Sequence, residues 1–172
     1  MQLYDTSPSP ALDAKRAAIH LADRQTYLAQ GRWTYSAADL LLNLLGVEPQ
    51  SVEGPTSRAE STWRGTSVPR AALRQAAADV AGFVRRNRRL PAVAWLGSQT
   101  LSLADFTATL AGDDGTSPEI PVRRGNLEFE KQFSTDAKGS FSWPIHPEGF
   151  QAPELMELGR LQGWTLKPAR LR

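Results

Sequence analysis

Two 17-residue segments of this chain, 66 residues apart, align without a gap and share five identical positions, and that similarity constrains the fold more than any other feature. Residues 24–40 read RQTYLAQGRWTYSAADL and residues 90–106 read LPAVAWLGSQTLSLADF. The identical pairs are Gly31/Gly97, Thr34/Thr100, Ser36/Ser102, Ala38/Ala104 and Asp39/Asp105. These residue types set a backbone path. Gly31 and Gly97 each separate two short extended pieces, where a tight turn calls for positive φ. Ser36 and Ser102 each open an apolar run, with Asp three residues on in the shorter form of a capping box. The runs Leu40–Leu45 and Phe106–Ala111 stop at Gly46 and Gly112, which predicts left-handed helix ends at both glycines.

A longer helix precedes the second copy. Leu73, Ala76, Ala77, Val80, Phe83 and Val84 recur at three- and four-residue steps. Pro69-Arg70 marks the onset, and Asn87 with Leu90-Pro91 marks the end. Residues 10–22 form the weaker counterpart before the first copy. The unit is therefore helix, short hairpin, helix. One such unit is too small to bury a core alone, which favours stacking of the two.

The second copy joins an apolar helix, Asn87, Leu90-Pro91, Val93, Gly97, Ser102, Asp105-Phe106 and Leu110-Ala111. In this it resembles a pseudomurein-binding repeat, a short module of surface and cell-wall-associated proteins. The likeness covers 70–112 and, more loosely, 12–46, where Arg24-Gln25 stands for Leu-Pro and Leu40 for Phe. The resemblance implies attachment to a cell-wall or envelope polysaccharide, and hence an envelope location. Repeats of this family are also similar to non-catalytic segments of carbohydrate-active enzymes such as polysaccharide deacetylases. The metal-binding Asp and His-x-x-x-His sets of those enzymes do not occur in this sequence.

Composition narrows the chemistry. The 172 residues include no Cys and two His, so thiol nucleophiles, thiolate zinc sites and disulfide frameworks are excluded. Neither a metal site nor a cofactor is expected. Twenty basic residues against 18 acidic give a net charge of +2, with the two signs interspersed, so no nucleic-acid stripe is expected. The dense run Arg85-Arg86-Asn87-Arg88-Arg89 falls at a helix end, where cations complement the macrodipole. Neither a secretory signal nor an apolar stretch of membrane-spanning length is visible.

The expected architecture is α+β: repeat 1 over 10–46, a polar linker over 47–68, repeat 2 over 69–112, and a C-terminal hairpin–helix unit over 119–172. In that last unit, alternation predicts strands over 127–133 and 141–145, and Pro153 starts a helix running to about Gly163. Within the linker, Trp63 is expected to be pinned to the surface. Asp113-Asp114-Gly115 lacks the alternating oxygen ligands of a calcium loop and reads as a solvated turn.

Tyr27, Trp33, Tyr35 and Trp95 cluster on or beside the two hairpins. Exposed, such rings stack on sugar faces, with Arg32 and Gln99 bonding hydroxyls. Buried, they are ordinary core, the commoner fate of a strand aromatic. Trp33 aligns with Gln99 and Trp95 with Ala29, so the aromatics do not repeat at one position. His146 and Glu148 form the most enzyme-like string, though Pro on both sides of the His and the lack of an orienting third group favour a structural loop. The leading reading is a non-catalytic polysaccharide-binding module. The alternatives are a protein-interaction or scaffold domain accessory to a carbohydrate-active catalytic domain or partner protein, and a hydrolase using His146 and Glu148.

Overall fold

The 66-residue offset of the sequence reappears in the backbone. A computed structural model describes residues 27–30, 33–125 and 153–167. In order these form β1 (Tyr27–Gln30), β2 (Trp33–Ser36), α1 (Ala37–Leu44), β3 (Ser67–Pro69), α2 (Arg70–Asn87), β4 (Val93–Leu96), β5 (Gln99–Ser102), α3 (Leu103–Ala111), β6 (Glu119–Pro121) and α4 (Pro153–Gln162). A 3-10 turn, Gly163–Thr165, follows α4. The class is α+β. The expected helix over 10–22 and the strands over 127–133 and 141–145 lie outside the described residues.

Strands β1 and β2 pair antiparallel in the register Tyr27↔Ser36 to Gln30↔Trp33, and β4 and β5 in the register Val93↔Ser102 to Leu96↔Gln99. Each pair of partners is the other shifted by 66. At the second turn Gly97 takes φ +66°, a value a side chain adopts only under strain. Both hairpins run directly into a helix capped by their last serine. Asp39 N–H donates to Ser36 Oγ at 3.2 Å, and Asp105 N–H to Ser102 Oγ at 3.1 Å.

The helix ends differ from one another. Gly46 follows α1 with φ +61°, as expected. Gly112 does not adopt the left-handed form: its φ is −85°, and its N–H continues the helix by donating to Ala108 O at 3.2 Å. A Cβ at Gly112 would meet the Arg123 side chain at 2.6 Å, so glycine here makes room for a neighbour instead of turning the chain. The left-handed residue is instead Arg88, which ends α2 with φ 51°. Asn87 Nδ2 covers the Phe83 carbonyl at 2.8 Å, and Arg85 and Arg86 occupy the last turn of α2.

The apolar faces meet in one core. It takes Leu41 and Leu42 from α1, Leu73, Val80 and Val84 from α2, Leu96 and Leu101 from the second hairpin, Phe106 and Leu110 from α3, and Trp164 from the 3-10 turn. Burying each such side chain fully contributes about 1.5–3 kcal/mol. Helix α2 packs on β4, α3 on β4 and β5, and α1 on α3 and on the 3-10 turn. Strand β6 pairs antiparallel with β3 through Val68↔Ile120, both side chains buried.

The 47–68 connection is fastened at several points. Glu53 bridges Arg89 in parallel: its N–H donates to Arg88 O at 2.9 Å and its carbonyl accepts from Leu90 N–H at 2.9 Å. Farther on, residues 61–63 line the outer edge of β5, where Thr62 N–H donates to Thr100 O at 2.9 Å and Thr100 N–H to Thr62 Oγ1 at 2.8 Å. Trp63, half-buried against the core, donates through Nε1 to Ser67 O at 3.1 Å. No helix among the described residues is long and apolar enough to cross a membrane.

Candidate functional site

Strand alternation assigns opposite environments to neighbouring residues of the second hairpin. Ala94 and Leu96 are buried, whereas Trp95 between them is 62% exposed. Its cross-strand partner Thr100 shares its side of the pleat, and Thr100 Oγ1 lies 3.1 Å from Thr62 Oγ1. An open indole thus adjoins a pair of hydroxyls contributed by β5 and the docked 61–63 segment.

Alternation also separates residues the sequence grouped together. Gln99 is opposite Leu96 in register and lies on the other side of the pleat from Trp95, so the two do not face one ligand. Tyr35 is buried, at 4% exposed, and is not available to a sugar. The position 66 residues on, Leu101, is fully buried, because both face inward from the second strand of their hairpin. Burial first, and the Asp39 carboxylate second, push the Tyr35 phenol above its ordinary pKa, so it is a neutral interior group. Tyr27 and Trp33 contribute backbone to β1 and β2. Arg32, His146 and Glu148 lie outside the described residues.

Beside the Trp95 face, a cleft of about 510 Å³ opens between residues 55–64, the start of α3, residues 124–125 and the end of α4. Ser102, two residues beyond Thr100 on the same side of the pleat, lines it, about 7 Å along the strand from Trp95's cross-strand partner. At its floor is Asp105, only 5% exposed. One carboxylate oxygen accepts from Ser61 Oγ at 2.6 Å and from Arg124 Nη1 at 2.7 Å, and the other from Gly125 N–H at 2.9 Å. Both oxygens of the Asp105 side chain are thereby engaged. Arg58, Arg64, Arg160 and Glu60 also line the cleft.

Sequence reasoning missed this cleft because half of its charged residues, Arg58, Glu60 and Arg64, come from the connection between the repeats. The available signal was Asp105 itself, repeated from Asp39 at a helix start. Asp113 is a second departure. Its side chain is 2% exposed, not solvated: Oδ1 accepts from Arg70 Nε at 3.0 Å and Gly115 N–H at 2.9 Å, while Oδ2 meets Arg74 Nη2 at 2.7 Å as an ion pair without hydrogen-bond alignment. Asp114 Oδ1 accepts from the Thr116 and Ser117 amides, which lead in lowering its pKa, and from Arg70 Nη2.

No group of three or more His, Cys, Asp or Glu side chains suited to a metal occurs among the described residues. Compared with known proteins, the chain matches no family model, no curated protein and no solved structure.

Proposed function

We propose that this chain is a non-catalytic module that binds a cell-wall or envelope polysaccharide. The observation that carries the reading is Trp95, a residue 62% exposed on a hairpin where its neighbours Ala94 and Leu96 are buried. A side chain of this size in water loses the burial it gains elsewhere in the fold, and it suits the C–H face of a pyranose ring. Thr62, exposed beside it and held by the buried Thr100, offers a hydroxyl to a sugar. The resemblance of residues 70–112 to a pseudomurein-binding repeat supports a wall polymer as the class of ligand. Binding by a shallow platform requires no covalent step.

Retention on insoluble wall polysaccharide is the test, at about 150 mM salt, where charges more than ~8 Å apart are screened. Folded protein should be retained and Trp95→Ala released. Failure of the folded wild-type chain to be retained on any wall fraction would overturn the reading.

A further inference from the structure

The cleft beside Trp95 has a character that a platform for neutral sugar does not require. Four arginines, Arg58, Arg64, Arg124 and Arg160, line it together with Glu60 and Asp105. Asp105 and Arg124 satisfy each other, and Arg160 lies 3.6 Å from Glu157. Arg58 and Arg64 have exposed side chains and no ion-pair partner among the described residues. Both come from the segment that Ser61 and Thr62 fasten to β5, through Ser102 N–H and Thr100 N–H, so their backbones are held at the cleft wall. Part of the wall is apolar, with Pro55 and Trp164 buried beside it.

We infer that this cleft is an anion subsite that takes an acidic unit of the bound polymer, carrying a carboxylate or a phosphate, with Arg58 and Arg64 as the groups that recognise its oxyanion. The inference rests on the polysaccharide reading above and deepens it by naming the chemical class of the ligand. A guanidinium matches the two oxygens of a carboxylate or phosphate in a planar fork. The volume of about 510 Å³ accommodates one or two sugar units, within the usual range of about 300–1,000 Å³ for ligand clefts. The Asp105 carboxylate at the floor does not repel such a group strongly, because Ser61, Arg124 and Gly125 engage its oxygens. A polymer chain crossing the hairpin would rest one ring on Trp95 and present an acidic neighbour to the cleft.

Carboxylate and phosphate share this chemistry, and calorimetry with two probes separates them: an oligogalacturonate and a glycerol-phosphate oligomer, each at about 150 mM salt. A neutral oligosaccharide and retention on neutral wall polymer serve as companions. Two double variants remove equal charge, Arg58→Gln with Arg64→Gln in the cleft, and Arg85→Gln with Arg86→Gln on the exposed last turn of α2. The expected result is 1:1 binding of at least one acidic probe, weakened about tenfold or more by the cleft pair and unchanged by the helix pair. The probe that binds names the source of the oxyanion. Equal weakening by both pairs would show general charge attraction and overturn the subsite. Retention on neutral polymer through Trp95, with neither acidic probe bound, would overturn the subsite and leave the polysaccharide reading standing. No binding of any probe or polymer would overturn both.

Discussion

Ser61 Oγ donates to Asp105 Oδ2 at 2.6 Å and so occupies the place that, in the first repeat, the aspartate fills unaided. There, Asp39 Oδ2 accepts directly from Ser36 N–H at 2.8 Å, completing a reciprocal capping box. In the second repeat Ser102 N–H donates instead to Ser61 Oγ at 2.8 Å, and the serine passes the interaction on to Asp105. The cap has been widened by one hydroxyl from the connection. Each aspartate also takes a cation, Lys167 Nζ at 2.7 Å for Asp39 and Arg124 Nη1 at 2.7 Å for Asp105.

Ser61→Ala should therefore destabilise the protein by about 1–3 kcal/mol, since it leaves the Ser102 amide without its acceptor and removes a donor from a buried carboxylate. Asp105→Asn should cost as much or more, and Asp39→Asn less, because its side chain is more exposed, at 14% against 8%. Urea denaturation reads all three. A Ser61→Ala variant as stable as wild type would mean the widened cap contributes nothing.

Trp95→Ala should separate binding from stability. With 62% of the residue in water, its loss should change unfolding free energy by no more than about 0.5 kcal/mol. Tryptophan emission should shift on polymer binding in wild type and fail to shift in the variant. A variant that unfolds much more easily would show the indole to be structural.

Gly54 tests how the connection grips α4. A Cβ there would lie 2.3 Å from the Leu161 carbonyl oxygen, with backbone on both sides of the contact. Gly54→Ala should cost about 1–3 kcal/mol and alter the emission of Trp164, three residues beyond Leu161. Gly97→Ala meets open space, so only its positive φ is penalised, at about 1 kcal/mol, without disturbing Trp164. Equal effects of the two on Trp164 would contradict the close approach at Leu161.

Asp113 should make stability depend on acid. Burial pushes its carboxyl pKa up, but the Gly115 amide with Arg74 and Arg70 outweighs burial and holds it below the ordinary value. A pKa lowered by folding stabilises the protein above the unfolded value, about 3.9, and that stabilisation is lost as pH falls through the folded value. Asp113→Asn should thus be less stable near neutrality by about 1–2 kcal/mol, the lower part of the range because Arg74 is 59% exposed. The gap should narrow below about pH 4. A gap that stays constant to low pH would mean that the charge of Asp113 is irrelevant.

Local features of the repeat were legible in the sequence. Ser36 and Ser102 as caps, the turn at Gly97, the onset of α2 after Pro69 and of α4 at Pro153 each depend on a few adjacent residues. Gly112 was misread because its role lies not in its own φ but in its distance to Arg123, which adjacent residues do not encode.

The site was less legible, for the same reason. Period-two alternation alone places Trp95 and its partner Thr100 on one side of the hairpin and Leu101 on the other. Which side meets water was decided by α2 and α3 packing against the hairpin, and that burial left Trp95 exposed while enclosing Leu101. The cleft depends on still longer contacts, with Ser61 reaching Asp105 across 44 residues and Thr62 reaching Thr100 across 38. The sequence by itself determined a repeated hairpin and capped helix, because those are short-range choices of φ, capping and periodicity. Only the tertiary structure decided that the polar connection would become a wall of the site, because its serine and threonine gain partners only once β5 and α3 stand beside them.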